Sequence, residues 1–157
     1  MKWIPTLSGK LVWAVQIAHA AEFSLSDLVF SRVPKTKERI AYVEHTEKMA
    51  EKYGVSAEEL ARTIIEESQY THFVNGKILR GKDGEWGICQ CMWNTFAGFE
   101  EEFGREDLTV KDPYDSIEMM ALAFEAGYQE QWMGWLKVYK PELYKKYMNK
   151  WLKKNGK

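Results

Sequence analysis

The chain predicts a predominantly helical α+β domain, and three observations carry that expectation. Apolar residues recur at helical spacing in several segments that open on capping residues and close on glycines. The stretch from Thr71 to Trp86 loses this period and gathers Asn75-Gly76-Lys77 and Gly81-Lys82-Asp83-Gly84, which reads as a small hairpin or irregular loop. At 157 residues and 45% hydrophobic content the chain is long enough to bury one core without staples, so residues 22–157 read as a single domain behind an N-terminal segment, 1–21.

In that N-terminal segment Lys2 and Lys10 precede the apolar run Leu11–Ala18, and Ala18-His19-Ala20 follows as a small-x-small site. The order fits a short secretory signal, with an amphipathic segment docked on the domain as the alternative. A run of about eight apolar residues is far below the roughly 20 that a spanning helix requires, so stable membrane insertion is not expected.

A first helix is expected over 35–53, with Ile40, Val43, Met49 and Tyr53 as its stripe and Gly54 past its end. Ser56 and Glu59 form a capping box for a second helix that runs to about Gln69 and carries Leu60, Ala61, Ile64 and Ile65. Helical pattern returns weakly after Asn94. Asp112-Pro113 opens another helix, with Asp115 and Glu118 as a second possible cap and Ile117, Met120, Ala121 and Phe124 on one face until Gly127. The last segment repeats an aromatic spacing, Trp132, Trp135, Tyr139 and then Tyr144, Tyr147, Trp151, with eight lysines between Lys137 and Lys157. It reads as an amphipathic helix pair whose aromatics are mainly core, or else as a surface attracted to an anionic cell-wall polymer.

Lys and Arg (22) nearly balance Asp and Glu (23), and no basic groove-reading element stands out, which argues against a nucleic-acid partner. Cys89 and Cys91 are one residue apart, poor geometry for a mutual disulfide, and no Cys or His has zinc-site spacing, so both read as small apolar fillers and no metal or cofactor is implied. His19, His45 and His72 are expected to face solvent. The 14% aromatic content suits either core packing or carbohydrate stacking.

At about 100° per residue, the stripe of the second helix centres near Ser68, leaves Glu66 opposite, and puts Glu67 on its flank. Desolvation there disfavours a carboxylate, so Glu67 is the candidate proton donor and Glu66 a solvated surface residue. Gly84 and Gly87 bracket a tight turn that lets backbone approach a ligand, and Gln90 adds an amide able to bind a sugar or hold a strand.

Glu67-Ser68-Gln69-Tyr70 resembles the Glu-Ser-x-Phe/Tyr motif of soluble lytic transglycosylases. Gly84-Glu85-Trp86-Gly87-Ile88-Cys89-Gln90-Cys91-Met92-Trp93-Asn94-Thr95 is similar to their Gly-Ala-x-Gly-Leu-Met-Gln-x-x-Pro-x-Thr, and Asp112-Pro113-Tyr114-Asp115-Ser116-Ile117 to their Asp-Pro-x-x-Asn-Ile. The resemblance covers about Ala41 to Tyr139. It implies a lysozyme-like fold with a small β element beside a cleft, acting on the β-1,4 bond between N-acetylmuramic acid and N-acetylglucosamine in peptidoglycan glycan strands. Glu67 would be the catalytic acid and base; Ser68, Tyr70, Glu85, Gly87 and Gln90 would bind substrate, with Ser68 supporting Glu67 or orienting an acetamide.

Two departures stand out. The family's Ala-Tyr-Asn-Ala-Gly segment has Phe124-Glu125-Ala126-Gly127 as its nearest counterpart, so no tyrosine is carried over. Glu85 stands where the family has a small residue, and an acid at that place resembles animal-type lysozymes, in which a second carboxylate supports the sugar cation. The expected activity is therefore that of a secreted or envelope-acting transglycosylase of bacterial or phage type. The alternatives are a hydrolase using Glu67 with Glu85 or Asp83, and a non-catalytic wall-binding module.

Overall fold

Capping side chains start the helices that carry the core. The computed structural model describes residues 24–156, together with the backbone of two short strands, β1 (Trp3–Pro5) and β2 (Leu11–Trp13), which pair antiparallel with Trp3 opposite Trp13. The rest of the expected export signal, including Ala18-His19-Ala20, lies outside the described residues.

Ser24 accepts the Asp27 N–H to open α1 (Leu25–Phe30), and Thr36 accepts the Arg39 N–H to open α2 (Lys37–Tyr53). Gly54 closes α2 in the left-handed region at φ 66°, a conformation that glycine adopts without a Cβ penalty. The buried face of α2 is Tyr42, Val43, Thr46, Met49 and Ala50, rotated from the expected stripe, and Ile40 is only half-buried.

Ser56 opens α3 (Ala57–Ser68) by accepting the Glu59 N–H, which is half of the expected capping box. One carboxylate oxygen of Glu59 is instead turned to the indole N–H of Trp135 at 3.2 Å. Leu60, Ala61 and Ile64 are fully buried. Burying a side chain such as Leu60 or Ile64 contributes about 1.5–3 kcal/mol, so this face fixes α3 to the core.

The aperiodic stretch forms a hairpin of β3 (Phe73–Val74) and β4 (Lys77–Ile78). Asn75 and Gly76 both have positive φ, 52° and 74°, the pair that a type I′ hairpin turn requires. Single bridges from Arg80 to Trp86 and from Trp86 to Cys91 extend the pairing into the Gly-rich loop.

The weak signal after Asn94 proves to be a three-turn helix, α4 (Trp93–Phe103), that buries Phe96 and Phe99. Asp112 alone caps α5 (Pro113–Glu125), accepting from the N–H groups of Tyr114 and Asp115. The expected second cap is absent because its members are engaged elsewhere. The Asp115 carboxylate accepts the Thr109 N–H, and Glu118 pairs with Lys52 and Arg105. Ile117, Met120, Ala121 and Phe124 are buried as expected, and Ser116, Met119 and Ala123 with them, so α5 runs through the middle of the core beside α2.

A 3-10 turn at Gln129–Gln131 leads into α6 (Met133–Tyr139), which lies against α3, and α7 (Pro141–Lys154) follows directly. The expected aromatic core divides here. Trp132 is buried and Trp135 half-buried, but no residue of α7 is buried, so Tyr144, Tyr147 and Trp151 are not core. Among the described residues no helix is long and apolar enough to cross a membrane. The architecture is a predominantly helical α+β fold of lysozyme-like type, its small β element beside the C-terminal end of α3.

Candidate active site

Glu67 sits in the last turn of α3, where the helix turns its flank toward α6. Its Oε1 accepts the backbone N–H of Gly134 at 2.7 Å. Burial raises the carboxyl above its ordinary range; the Gly134 N–H opposes this, Glu85 and Glu66 add to it, and the result is about 7. Desolvation therefore outweighs one good hydrogen bond.

Glu66 is not the solvated residue expected. It lies beneath α6, only 17% exposed at the side chain, and pairs with Lys137 at 2.6 Å. A lone helix projection puts it opposite the apolar stripe; the crossing of α6 over α3 covers it.

That crossing depends on Gly134. A Cβ there would stand 2.9 Å from both the Glu66 Cβ and the Glu67 Oε1, and 3.1 Å from the Thr63 carbonyl oxygen. Sequence reasoning missed this residue, although a glycine inside the helical pattern Trp132–Trp135 is a recognisable sign of close packing.

Immediately after Glu67 the chain reverses sharply. Gln69 and Tyr70 both take left-handed backbone, φ 53° and 56°, and Gln90 in the facing loop does too, at 45°. Such conformations in residues other than glycine cost energy and persist where the surroundings over-determine them. Arg39 supplies part of that constraint, donating to the carbonyls of Gln69 and Pro34 and to the Thr71 hydroxyl.

The reversal changes where the motif's side chains point. Tyr70, expected at the substrate, is turned into the core, 1% exposed, with its hydroxyl on Thr46 at 3.1 Å. The Ser68 hydroxyl, expected to support Glu67 or orient an acetamide, donates to the Ile88 carbonyl at 2.6 Å and ties α3 to the Gly-rich loop. His72, expected to face solvent, is buried between that loop and residue 111. Its Nδ1 accepts the Ile88 N–H at 3.0 Å and its Nε2 donates to the Lys111 carbonyl at 2.8 Å, a neutral tautomer fixed at both ends. His45 is half-buried on the Tyr114 carbonyl.

The Gly-rich loop is held from within. Gly87 has φ 64°, and the place of its missing Cβ is filled by the His72 ring, so the absence of a side chain here serves close packing against His72. The Gln90 amide donates to the Gly87 carbonyl at 2.7 Å, and the Trp132 indole donates to the Cys89 carbonyl at 2.9 Å. Gly81 is a second residue that sequence reasoning missed: its open side is occupied by the Glu85 carboxylate and the Gln90 amide. Cys89 and Cys91 are both buried free thiols, and burial raises each well out of the range of thiolate chemistry.

Glu67, Glu85 and Gln90 thus converge on one cleft, with Met133 across from them. One part, about 180 Å³, extends toward Met92 and Thr95. The other, about 480 Å³, extends toward α7. Asp83 is exposed at the rim of the second part. Glu85 is half-buried, and one of its carboxylate oxygens accepts the Asp83 N–H at 3.0 Å. The arrangement joins a carboxyl of near-neutral pKa to a second carboxylate and an amide in an open cleft.

Comparisons with curated proteins and with solved structures gave no match. A family model described as Transglycosylase SLT domain matches residues 44–140, more than half of the chain, from within α2 through Glu67 and the Gly-rich loop to the residue before α7. The chain therefore belongs to the SLT-domain transglycosylase family, whose activity is peptidoglycan cleavage of the lytic transglycosylase type.

Proposed function

We propose that the protein is a lytic transglycosylase that cleaves the β-1,4 bond between N-acetylmuramic acid and N-acetylglucosamine, with Glu67 as acid and base. The observation that supports this most is the state of one carboxyl: Glu67, raised to about 7, at the head of a cleft shared with Glu85 and Gln90. A carboxyl of that pKa holds its proton near neutral pH and still gives it up, the balance that general acid catalysis needs.

Protonated Glu67 donates to the bridging oxygen as the muramic C1–O bond breaks, and the departing N-acetylglucosamine keeps that proton as its 4-hydroxyl. Ionised Glu67 then takes the proton of the muramic 6-hydroxyl, whose oxygen closes on C1 to give a 1,6-anhydro sugar. The proton is returned to Glu67 and no water is consumed. The Gly134 N–H holds the carboxylate in its ionised interval, while Glu85 and Gln90 bind sugar hydroxyls. Delivery to the cell envelope, by a signal in residues 1–21 or as a phage product, belongs to the same proposal.

Hydrolysis is the second reading, because Glu85 faces the same cleft and its charge acts on Glu67. Mass spectrometry of muropeptides released from purified peptidoglycan separates the two. Anhydromuramic ends support the transglycosylase, and reducing muramic ends would replace it with the hydrolase. Binding without any release would reduce the protein to a non-catalytic wall-binding module.

A further inference from the structure

The helix α7 begins at Pro141, one residue past the segment that matches the family, so the family match does not account for it. Its 14 residues bury no side chain, and it rests mainly on α6. A helix that short is marginal alone, and it does not complete the core.

Its side chains are nevertheless sorted. Tyr147, Met148 and Trp151, at i, i+1 and i+4, share one face, and that face walls the larger part of the cleft opposite Glu67, Glu85 and Gln90. Lys146, Lys150 and Lys153, at i, i+4 and i+7, occupy another face, turned away from the cleft. The cleft therefore has one polar wall of carboxylates and amide and one apolar wall of aromatic rings and thioether.

A pyranose ring has the same two-sided character. Its axial C–H groups form an apolar face that stacks on the electron-rich face of an aromatic ring, and its equatorial hydroxyls point outward to acceptors. Peptidoglycan strands also carry lactyl and peptide carboxylates, which the lysine face attracts at long range.

We propose that α7 forms a glycan-binding subsite, in which Tyr147, Met148 and Trp151 receive the apolar face of a sugar adjoining the cleaved bond and so favour long strands over short fragments. The inference rests on the proposed action on peptidoglycan. Removing the rings by Tyr147→Ala with Trp151→Ala should raise KM on polymeric peptidoglycan roughly tenfold, a loss of about 1.4 kcal/mol in binding. The kcat should be kept, as should KM on a disaccharide-repeat fragment too short to reach α7. Tyr147 is exposed and Trp151 half-buried, so the melting temperature should fall by much less than for a core aromatic, and KM is compared at a temperature where both proteins are folded.

Trp151→Phe, which keeps a ring, should retain most of the binding; equal loss in the Phe and Ala variants would overturn the stacking role. An unchanged KM in the double variant would also overturn it, and a gain in activity would make α7 a lid over the cleft in its place. Strand binding by Glu67→Gln, with and without Trp151→Ala, tells the two readings apart. Protein that binds soluble glycan strands through Trp151 while the parent cleaves nothing sinks the proposed activity and leaves the subsite. Protein that cleaves but is indifferent to Trp151 sinks the subsite alone.

Discussion

The backbone N–H of Gly134 reaches the Glu67 carboxylate at 2.7 Å, and the same glycine lies against α3 with no room for a Cβ. One residue thus takes part in both the packing of two helices and the hydrogen bond that holds the proposed acid. Gly134→Ala would place a methyl group 2.9 Å from the carboxylate oxygen and the Glu66 Cβ. Overpacking of this kind costs typically about 1–3 kcal/mol, so the melting temperature should fall. Activity should fall further than the stability loss explains, because the N–H leaves the carboxylate as the helices part. Unchanged activity at a temperature where the variant is fully folded would show that the bond is dispensable.

Glu67→Gln removes the proton and keeps the shape. On the proposed mechanism activity should drop by about 10² to 10⁴, the usual worth of general acid catalysis. Stability should move the other way. The folded carboxyl titrates near 7, above its ordinary 4.5, so the folded state holds the proton more tightly than the unfolded chain. The resulting stability is fully present below pH 4.5 and is lost as pH rises through 7, by at most about 3 kcal/mol. Glu67→Gln should therefore melt higher than the parent at pH 8 and lose the parent's decline between pH 5 and about pH 7. The parent's kcat should also fall above about pH 7 as the acid ionises.

His72 gives a pH dependence of opposite sign. Burial lowers its pKa, against smaller raising contributions from the Lys111 carbonyl and the Asp112 charge, and its neutral form bonds at both nitrogens. That contribution is complete above the ordinary histidine value of 6.5 and is lost as pH falls below it. His45 shifts in the same direction and adds to the effect. His72→Ala should strand the Ile88 N–H and the Lys111 carbonyl, at about 1–3 kcal/mol for each buried group left unsatisfied, and should flatten the acid limb of the stability curve. A melting temperature with the same acid limb as the parent would assign that limb to other groups.

Local pattern carried the helices and the hairpin because their signals are local: Ser56, Gly54, Asp112-Pro113 and Asn75-Gly76 act within a turn of themselves. It also put Glu67 at the edge of an apolar face. What it missed depended on two elements meeting. Glu66 was expected in solvent, but a helical projection of α3 contains no record that α6 crosses it. Tyr70 was expected at the substrate from its place in the motif and His72 in solvent from its place in a loop, but two left-handed residues reverse the chain there and both side chains are buried. The aromatic period of the last segment was legible as one face of a helix, yet the period does not say what the face looks at. For Trp132 it is the core, and for Trp151 the cleft.

Trp135 tests that distinction on the packing side. It is half-buried against the core and its indole N–H meets Glu59 in the first turn of α3. A fully buried tryptophan lost to alanine costs about 3–5 kcal/mol, and this one should cost less, near the lower end or below it, with substrate KM unchanged. Lost glycan binding at constant melting temperature would move Trp135 from the α3–α6 contact to the substrate.

Glu85→Gln decides between the two enzymatic readings. A transglycosylase draws its nucleophile from the substrate and needs one acid and base, whereas a hydrolase gains from a second carboxylate that steadies the glycosyl cation or acts on water. The geometry of Glu85 favours the first. One of its oxygens accepts the Asp83 N–H, and its carboxylate fills the side of Gly81, so the group has a structural task in the loop. Glutamine keeps an acceptor for Asp83 and the same bulk beside Gly81. It also removes a charge that pushes the Glu67 pKa upward, so the basic limb of the activity profile should shift slightly to lower pH. Turnover should change by less than about tenfold, small beside the contribution expected of the acid, with 1,6-anhydromuramic products still dominant. Collapse of activity in this variant, together with reducing-end muramic acid as the main product of the parent, would make Glu85 a catalytic partner of Glu67 and the protein a hydrolase.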